Sequence, residues 1–166
     1  MTRRGDELSV LLKRLSHQGR VYVRSGRLRP TSGGASGVVA AMAAEVHTLL
    51  RQLYRKDWQG YATSSVGPED VQQVEEALEA IDAEKAASLM GRFASQCLVW
   101  SDYAFMDRAE ADSVAGQVVK VLGAQAQWWS NWDDGSWTDV SGCTFDGLVA
   151  GTDGHRFAVL IQVGED

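Results

Sequence analysis

Apolar residues recur at helical spacing in the first third of the chain and predict two helices there. The first helix covers residues 6–18 and the second covers residues 38–57. Gly19 follows the first apolar stripe and is typical of a helix end. The stripes consist of Leu8, Leu11, Leu12 and Leu15 in the first helix, and of Val39, Met42, Val46, Leu49, Leu50 and Leu53 in the second.

Between these helices the pattern changes from helical spacing to alternation. The run RVYVR alternates β-branched or aromatic residues with arginine, the dipeptide SG at 25–26 is a turn signal, and the run RLR follows it. This pattern predicts a short β-hairpin over residues 20–29. Its apolar side chains would pack inward, and its arginines would surround it.

The rest of the chain alternates helical and strand patterns and ends in a hairpin. Asp107 and Gly123 are the expected cap and stop of one helix, and the pair Asp153-Gly154 is a strong turn signal between the last two strands. The sequence therefore predicts an α+β protein with a mainly antiparallel sheet and helices on one side of it. The predicted helices are 68–80, 83–95 and 108–122, and the predicted strands are 97–105, 125–129, 145–150 and 156–163.

Charge divides the chain into two segments. The 57 N-terminal residues carry a net charge of +7, whereas the remainder carries −13. We therefore predict a basic helix–hairpin–helix module over residues 1–57 and an acidic α+β domain over residues 68–166. Two interpretations stay open: the basic segment binds an acidic partner, or the two segments attract each other.

Composition and hydropathy favour a folded protein without a membrane-spanning segment. The hydrophobic fraction of 45% is typical of a folded protein. No apolar stretch approaches the roughly 20 residues that a membrane span needs, and no signal-peptide pattern is evident at the N-terminus. We expect a cytoplasmic protein with no membrane partner. Cys97 and Cys143 are 46 positions apart and are expected to be free thiols.

Two groups of residues are candidates for partner contacts. Arginines of the predicted hairpin could pair with carboxylates, and tryptophan is a frequent anchor at interfaces. Tryptophans and aspartates concentrate between positions 128 and 139, which predicts a second, acidic and aromatic contact site. The candidates are Arg20, Tyr22, Arg24, Arg27 and Arg29 in the first group, and Trp132, Asp133, Asp134 and Trp137 in the second.

Catalytic signals are weak. His155 lies close to Asp153 and could act with it as a general base, while Cys143 and Asp146 are conceivable companions if the fold brings them near. No motif ties these residues together, and the histidines and cysteines lack the spacing of zinc ligands. The sequence therefore predicts no metal and no cofactor, and it leans against an enzyme.

The first 56 residues resemble one known family. The helix, the Gly19 stop, the strand–turn–strand pattern and the long helix are similar to the N-terminal docking domain of the TubC type, which stands at the front of nonribosomal peptide and polyketide synthetase subunits. The residues that match are Leu8, Leu11, Leu12, Leu15, Gly19, Val21, Val23, Gly26, Arg27, Leu28, Arg29, His47, Leu49, Leu50 and Leu53.

This resemblance implies that the first segment binds a peptide. Members of the family capture a short acidic segment of a partner subunit on an exposed hairpin edge, so that the peptide becomes an added strand. The HHxxxDG signature of a condensation domain is absent, because the only histidines are His17, His47 and His155. Synthetase activity is therefore not implied.

Three functional hypotheses follow in order of preference. The first is a non-enzymatic interaction protein, in which the hairpin captures an acidic or extended peptide and the acidic domain contacts or regulates a partner, as an immunity-type inhibitor would. The second is a small hydrolase that uses aspartate and histidine with or without a metal. The third is a nucleic-acid-binding protein that uses the basic segment. The oligomeric state stays open.

Overall fold

A computed structural model describes residues 4–29, 34–55, 70–133, 136–138, 140–141 and 145–164. The helices are α1 (Arg4–Leu15), α2 (Gly34–Leu53), α3 (Val71–Ala77), α4 (Ala83–Ser95) and α5 (Arg108–Leu122). The strands are β1 (Val21–Arg27), β2 (Glu79–Ile81), β3 (Gln127–Ser130), β4 (Trp132–Asp133), β5 (Ser136–Trp137), β6 (Phe145–Thr152) and β7 (Arg156–Gly164).

The main sheet has the strand order β1-β7-β6-β3-β2, and every neighbouring pair in it is antiparallel. Strands β4 and β5 form a separate two-stranded ribbon. The predicted α+β class and the mainly antiparallel sheet are therefore confirmed. The predicted C-terminal hairpin is confirmed as β6 and β7, which turn at Asp153 and Gly154, where Gly154 has a φ of 96°.

Helices cover both faces of the sheet, and the prediction that they lie on one side is wrong. Along β7, Phe157, Val159 and Ile161 belong to one buried apolar cluster, whereas Ala158 and Leu160 belong to another. Alternate residues of a strand point to opposite faces, so the two clusters lie on opposite faces of the sheet. The first cluster includes α2 and α3, and the second includes α1, α4 and α5.

Helix ends follow the cap signals in the sequence. The side chain of Asp107 accepts the N–H of Glu110 at the start of α5, and Gly123 ends that helix with a φ of 101°. Asp82 caps α4 in the same way through the N–H of Lys85. Each cap provides an acceptor for an N–H that has no partner inside the helix, so these boundaries are defined locally.

The predicted hairpin over residues 20–29 is wrong. Instead of turning at Ser25-Gly26, the chain continues through this dipeptide as β1, whose residues from Val21 to Arg27 all pair with β7. Gly26 lies against the ring of Phe157, where a β-carbon would come within 3.4 Å of a ring atom. This is an ordinary van der Waals distance and the φ of Gly26 is not positive, so the turn signal of the dipeptide is not used here.

The predicted strand over residues 97–105 is also wrong. This segment closes on itself through hydrogen bonds from the Cys97 N–H to the Tyr103 carbonyl and from the Phe105 N–H to the Ser95 carbonyl. It is a loop that connects α4 to α5, and we call it the aromatic loop (residues 97–106). Strand β2, which pairs with β3, lies where the sequence predicted the end of a helix.

The basic N-terminal segment and the acidic C-terminal segment contribute strands to the same sheet and helices to the same layer. Because β1 pairs with β7, and α1 packs against α5, the N-terminal segment contributes to the layers of the C-terminal one. Arg14 of α1 lies 3.9 Å from Glu110 of α5, which links the basic segment to the acidic one. The predicted boundary between 57 and 68 lies outside the described residues. Of the helices described, none has the length and apolar character required to cross a bilayer.

Candidate functional site

Strand β1 forms one edge of the sheet, and its outward main-chain groups define the candidate site. The N–H of Leu28 donates to His155, and the N–H of Val163 donates to Arg20. In an antiparallel pair, hydrogen-bonded positions alternate with positions whose main-chain groups point away. The register therefore directs the N–H and C=O groups of Val23, Ser25 and Arg27 away from β7.

One end of this edge is closed by the chain itself. His17 exchanges hydrogen bonds with Val21, with N···O distances of 2.9 and 3.0 Å. The outward groups of Val21 are therefore paired, as the alternation requires. Beyond it, no other strand of the described part of the chain pairs with the outer side of β1. We use the name open edge for the outward groups of Val23, Ser25 and Arg27.

The arginines of the predicted contact group differ in their availability. Arg24 donates from Nε and Nη2 to Glu45 of α2, at 3.1 and 3.0 Å, and its guanidinium also lies over the ring of Phe157. A carboxylate of the same chain therefore already holds Arg24, and its predicted contact with a partner stays a prediction. Arg27 and Arg29 are exposed, and neither forms an ion pair with a described carboxylate.

The remaining members of that group are less exposed. Arg20 is half-buried and lies next to Gly164 at the end of β7. Tyr22 is half-buried and packs against the apolar cluster that contains α2. Of the five residues predicted on the hairpin, Arg27 and Arg29 are therefore the two that the structure presents to solvent beside the open edge.

In the second predicted contact site, the structure describes the side chains of Trp132 and Trp137, which differ in exposure. Trp132 is 8% exposed, stacks on Trp137, meets the ring of Phe93 edge to face, and lies beneath the guanidinium of Arg92. Its indole N–H donates to the main-chain oxygen of Asp146 at 2.7 Å. The protein's own core therefore surrounds Trp132, and its predicted role as a contact anchor stays a prediction.

The structure describes the other residues of that site only in part. Trp137 is 39% exposed and stacks between Trp132 and Phe145. Asp134 lies outside the described residues, and for Asp133 only the strand position is described. The predicted acidic and aromatic contact site therefore stays a prediction.

Asp146 is fully buried and organises the segment between β3 and β6. Its Oδ2 accepts hydrogen bonds from the Val140 N–H and from the N–H and hydroxyl of Ser141, at 2.7–3.0 Å. Its Oδ1 accepts a hydrogen bond from Asn131 at 2.6 Å, and Asn131 also bonds to the Leu148 N–H. This set of bonds, which we call the Asp146 network, gives the carboxylate a structural role rather than a catalytic one.

Asp153 and His155 also have local roles. Asp153 accepts the N–H groups of His155 and Arg156 at 2.8 and 2.7 Å, and its carboxylate pairs with the Arg156 guanidinium at 3.2 Å. Burial alone would raise the pKa of Asp153, but the hydrogen bonds from Arg156 and His155 and the charge of Arg156 outweigh it and lower the pKa. His155 itself is exposed on the turn.

The weak catalytic candidates are not brought together. Asp146 and Asp153 lie at opposite ends of β6, about 20 Å apart at the rise of an extended strand. Cys143 lies outside the described residues. Among the residues that are described, no three carboxylate, histidine or cysteine side chains converge on a point where they could hold a metal ion. The structure therefore does not bring Asp146 together with Asp153 and His155.

Three residues that are prominent in the structure were not predicted from the sequence as functional candidates. Gln162 is 1% exposed and bonds to the Leu98 N–H and to the carbonyls of Phe93 and Gln96. Trp100 and Tyr103 were assigned to a strand, yet they are 64% and 57% exposed on the aromatic loop. A single glutamine within an apolar strand is the signal that could have indicated Gln162, whereas nothing in the loop sequence indicates this exposure.

The chain matches no protein-family model, no curated protein and no solved structure. The resemblance of its first 56 residues to TubC-type docking domains thus stays a prediction. The hairpin on which that resemblance partly rested is a single strand here, although Gly19 still ends the turn after α1 with a φ of 80°.

Proposed function

We propose that this protein is a non-enzymatic interaction protein that binds an extended, acidic segment of a partner protein as an added strand on β1. The observation that carries the proposal is the open edge, with Arg27 and Arg29 exposed beside it. Main-chain groups of an unpaired edge are a template for another strand, and arginine pairs with carboxylates through two parallel hydrogen bonds. Both features favour an acidic peptide in extended conformation.

The main-chain groups of the open edge set the register of a bound peptide but contribute little to its net affinity. Its three residues offer one N–H and one C=O each, and an intramolecular hydrogen bond contributes only about 0.5–1.5 kcal/mol net. Ordering each residue of the incoming peptide costs about 1–2 kcal/mol. These terms nearly cancel, so side-chain contacts must supply the affinity. Because Arg27 and Arg29 are exposed, their contribution should weaken as salt rises.

Charge reversal tests the arginine contribution. The probe is a fluorescein-labelled seven-residue peptide that alternates glutamate with valine or threonine, and its binding is followed by fluorescence anisotropy. Replacing Arg27→Glu and Arg29→Glu together should weaken binding by at least about tenfold, which is about 1.4 kcal/mol. The matched control is Arg51→Glu on α2 together with Arg55→Glu just beyond its end, which changes the net charge equally at exposed positions. Equal losses in both double variants would contradict the proposal.

Removing one outward N–H tests the added strand itself. Proline at position 25 removes the N–H that points away from β7 and leaves the hydrogen bonds to β7 in place, and proline is tolerated on edge strands. Ser25→Pro should therefore weaken peptide binding by about fivefold to tenfold with little change in melting temperature. Ser25→Ala keeps the N–H and should bind as the unmodified protein does. Equal affinity in the two variants would show that no strand is added.

A nucleic-acid ligand is the outcome that would replace this proposal. A labelled single-stranded oligonucleotide of about 12 residues, measured under the same conditions, should bind more weakly than the acidic peptide, because the whole chain has a net charge of −6. Tighter binding of the oligonucleotide, with loss on charge reversal at Arg27 and Arg29, would assign the arginines to phosphate contacts instead.

A further inference from the structure

The open edge leads towards the aromatic loop. His17 closes the edge at Val21, and its ring stacks on Phe105 at a centroid distance of 4.6 Å. The ring of Phe105 in turn meets that of Tyr103 at 5.7 Å. An extended peptide that pairs with Arg27, Ser25 and Val23 in turn therefore leaves the edge at His17, and the rings of Phe105 and Tyr103 lie within about 10 Å of the His17 ring.

Tyr103 and Trp100 flank a shallow depression at this end of the sheet. The depression measures about 350 Å³ and is lined by residues 99–103 of the aromatic loop. Trp100 is 64% exposed and Tyr103 is 57% exposed, which is unusual for aromatic side chains on a folded surface. Tryptophan and tyrosine are the side chains most enriched at the energetic centres of protein interfaces.

The loop that presents these rings is held from beneath. The buried side chain of Gln162 accepts the Leu98 N–H at 2.7 Å and donates to the Phe93 and Gln96 carbonyls. The Trp100 N–H donates to the Cys97 sulfur, and the Tyr103 N–H donates to the Trp100 carbonyl. A binding surface that is already ordered loses little conformational entropy when a ligand arrives. The exposure of the two rings is thus a fixed property of the loop.

We infer that the bound peptide carries a large apolar or aromatic residue after its acidic ones, and that this residue occupies the depression between Trp100 and Tyr103. This inference rests on the proposed function, which leaves most of the affinity to side chains. The ring distances from His17 through Phe105 to Tyr103 span at most about 10 Å, which is about three residues of extended chain. The residue paired with Val23 is two positions short of the level of Val21 and His17, so the apolar residue lies at most about five positions beyond the last paired residue.

The order of the two peptide elements follows from strand direction. β1 runs from Val21 towards Arg27, so an antiparallel added strand runs from Arg27 towards Val23 and His17. Antiparallel pairing is the more stable arrangement and is the one found throughout this sheet. The acidic residues are consequently N-terminal and the apolar residue is C-terminal in the partner segment.

Three peptides test the inference on the full chain by fluorescence anisotropy. The first is the acidic strand alone, the second carries phenylalanine five positions after it, and the third carries phenylalanine five positions before it. The second peptide should bind about tenfold more tightly than the other two. Equal binding of all three would overturn the inference and leave the proposed function intact, whereas no binding of any of them overturns both.

Substitutions of Trp100 and Tyr103 test whether these side chains cause the tighter binding of the second peptide. Trp100→Ala and Tyr103→Ala should each remove most of the gain shown by the second peptide, without changing the affinity of the first. Tyr103→Phe should retain the gain, and Val10→Ala, which truncates another exposed apolar side chain, should not alter it. Circular dichroism confirms that each variant is folded. A gain that survives in Trp100→Ala and Tyr103→Ala would place the apolar residue elsewhere and overturn the inference.

Self-association provides the competing outcome. If the aromatic loop instead pairs with a second copy of the chain, sedimentation will show a concentration-dependent dimer, which Trp100→Ala and Tyr103→Ala abolish and free peptide does not displace. That result would overturn the inference. A monomer at all concentrations, combined with the C-terminal preference for phenylalanine, supports it.

Discussion

The Asp146 network and the open edge of β1 contain similar hydrogen-bonding groups, yet the fold treats them in opposite ways. Around Asp146, the carboxylate and Asn131 connect to main-chain groups at 2.6–3.0 Å in a fully buried position. Along β1, the main-chain groups of Val23, Ser25 and Arg27 point away from the sheet. Buried groups of this kind stabilise the fold only when they are bonded, whereas exposed groups remain available to a partner.

The tryptophans show the same contrast. Trp132 is enclosed by Phe93, Trp137 and Arg92, and its N–H is bonded, so its packing is complete within the chain. Trp100 is 64% exposed on a loop that is itself firmly held. Residue type alone therefore does not distinguish an anchor of the fold from a contact for a partner. The distinction depends on whether the side chain's partners already lie within the same molecule.

The largest expected effect is on stability and comes from Asp146→Ala. The substitution leaves the N–H groups of Val140 and Ser141 and the amide of Asn131 without their acceptor in a buried site. Because each buried donor without a partner costs about 1–3 kcal/mol, we expect a loss of about 3 kcal/mol or more in the free energy of unfolding. Urea denaturation measures it. Asp102→Ala, at an exposed carboxylate, should change stability by less than about 0.5 kcal/mol.

The next largest effect is expected from Gln162→Ala, which should lower both the stability of the fold and the order of the aromatic loop. Gln162→Ala removes the acceptor of the Leu98 N–H and the donor to two buried carbonyls, so we expect a loss of about 2 kcal/mol. It should also loosen the aromatic loop, which amide hydrogen exchange at residues 98–103 will show as faster exchange. Gln127→Ala, at an exposed strand position, is the control. Unchanged exchange in Gln162→Ala would mean that the loop is held by its own bonds.

A smaller effect compares a bonded arginine with an exposed one on the same strand. Arg24→Ala loses two hydrogen bonds to Glu45 and the contact with Phe157, and it should cost about 1 kcal/mol. Arg27→Ala should change the free energy of unfolding by less than about 0.5 kcal/mol. Urea melts of both variants and a double-mutant cycle with Glu45→Ala measure the difference. Equal costs would show that Arg27 also has a partner within the chain, which would weaken the proposed function.

Local signals predicted the helices well because their chemistry is local. The Asp107 cap and the Gly123 stop are three and four residues from the groups they bond, so the bounds of α5 could be read from the sequence. The hairpin of β6 and β7 was predicted for the same reason, since Asp153-Gly154 sits between two strands that are neighbours in sequence and in the sheet.

Strand pairing over long distances could not be predicted. The alternation over residues 21–23 indicates a strand but not its partner, and β7 begins well over a hundred positions later in the chain. The turn signal at Ser25-Gly26 predicted a local hairpin, but pairing with the distant strand β7 determines the structure of this segment. The candidate site shares this limit: the arginines were identified from the sequence, but the Glu45 partner of Arg24 and the exposure of the aromatic loop depend on packing between distant segments.

The smallest effect is a pH dependence at the turn between β6 and β7. Hydrogen bonds and the charge of Arg156 lower the pKa of Asp153 in the folded state, so acidification protonates the unfolded chain more readily. The stabilisation is therefore present at neutral pH and is lost as the pH falls below about 4. Asp153→Asn should lower the melting temperature by roughly 1–3 °C at pH 7, and the difference should shrink on acidification. Asp112→Asn, whose ion pair with Arg108 is about half exposed, is the control for charge alone. A difference for Asp153→Asn that persists unchanged at pH 3 would mean that its hydrogen-bond geometry, rather than its charge, stabilises the turn, and that this end of the sheet is held as the Asp146 end is.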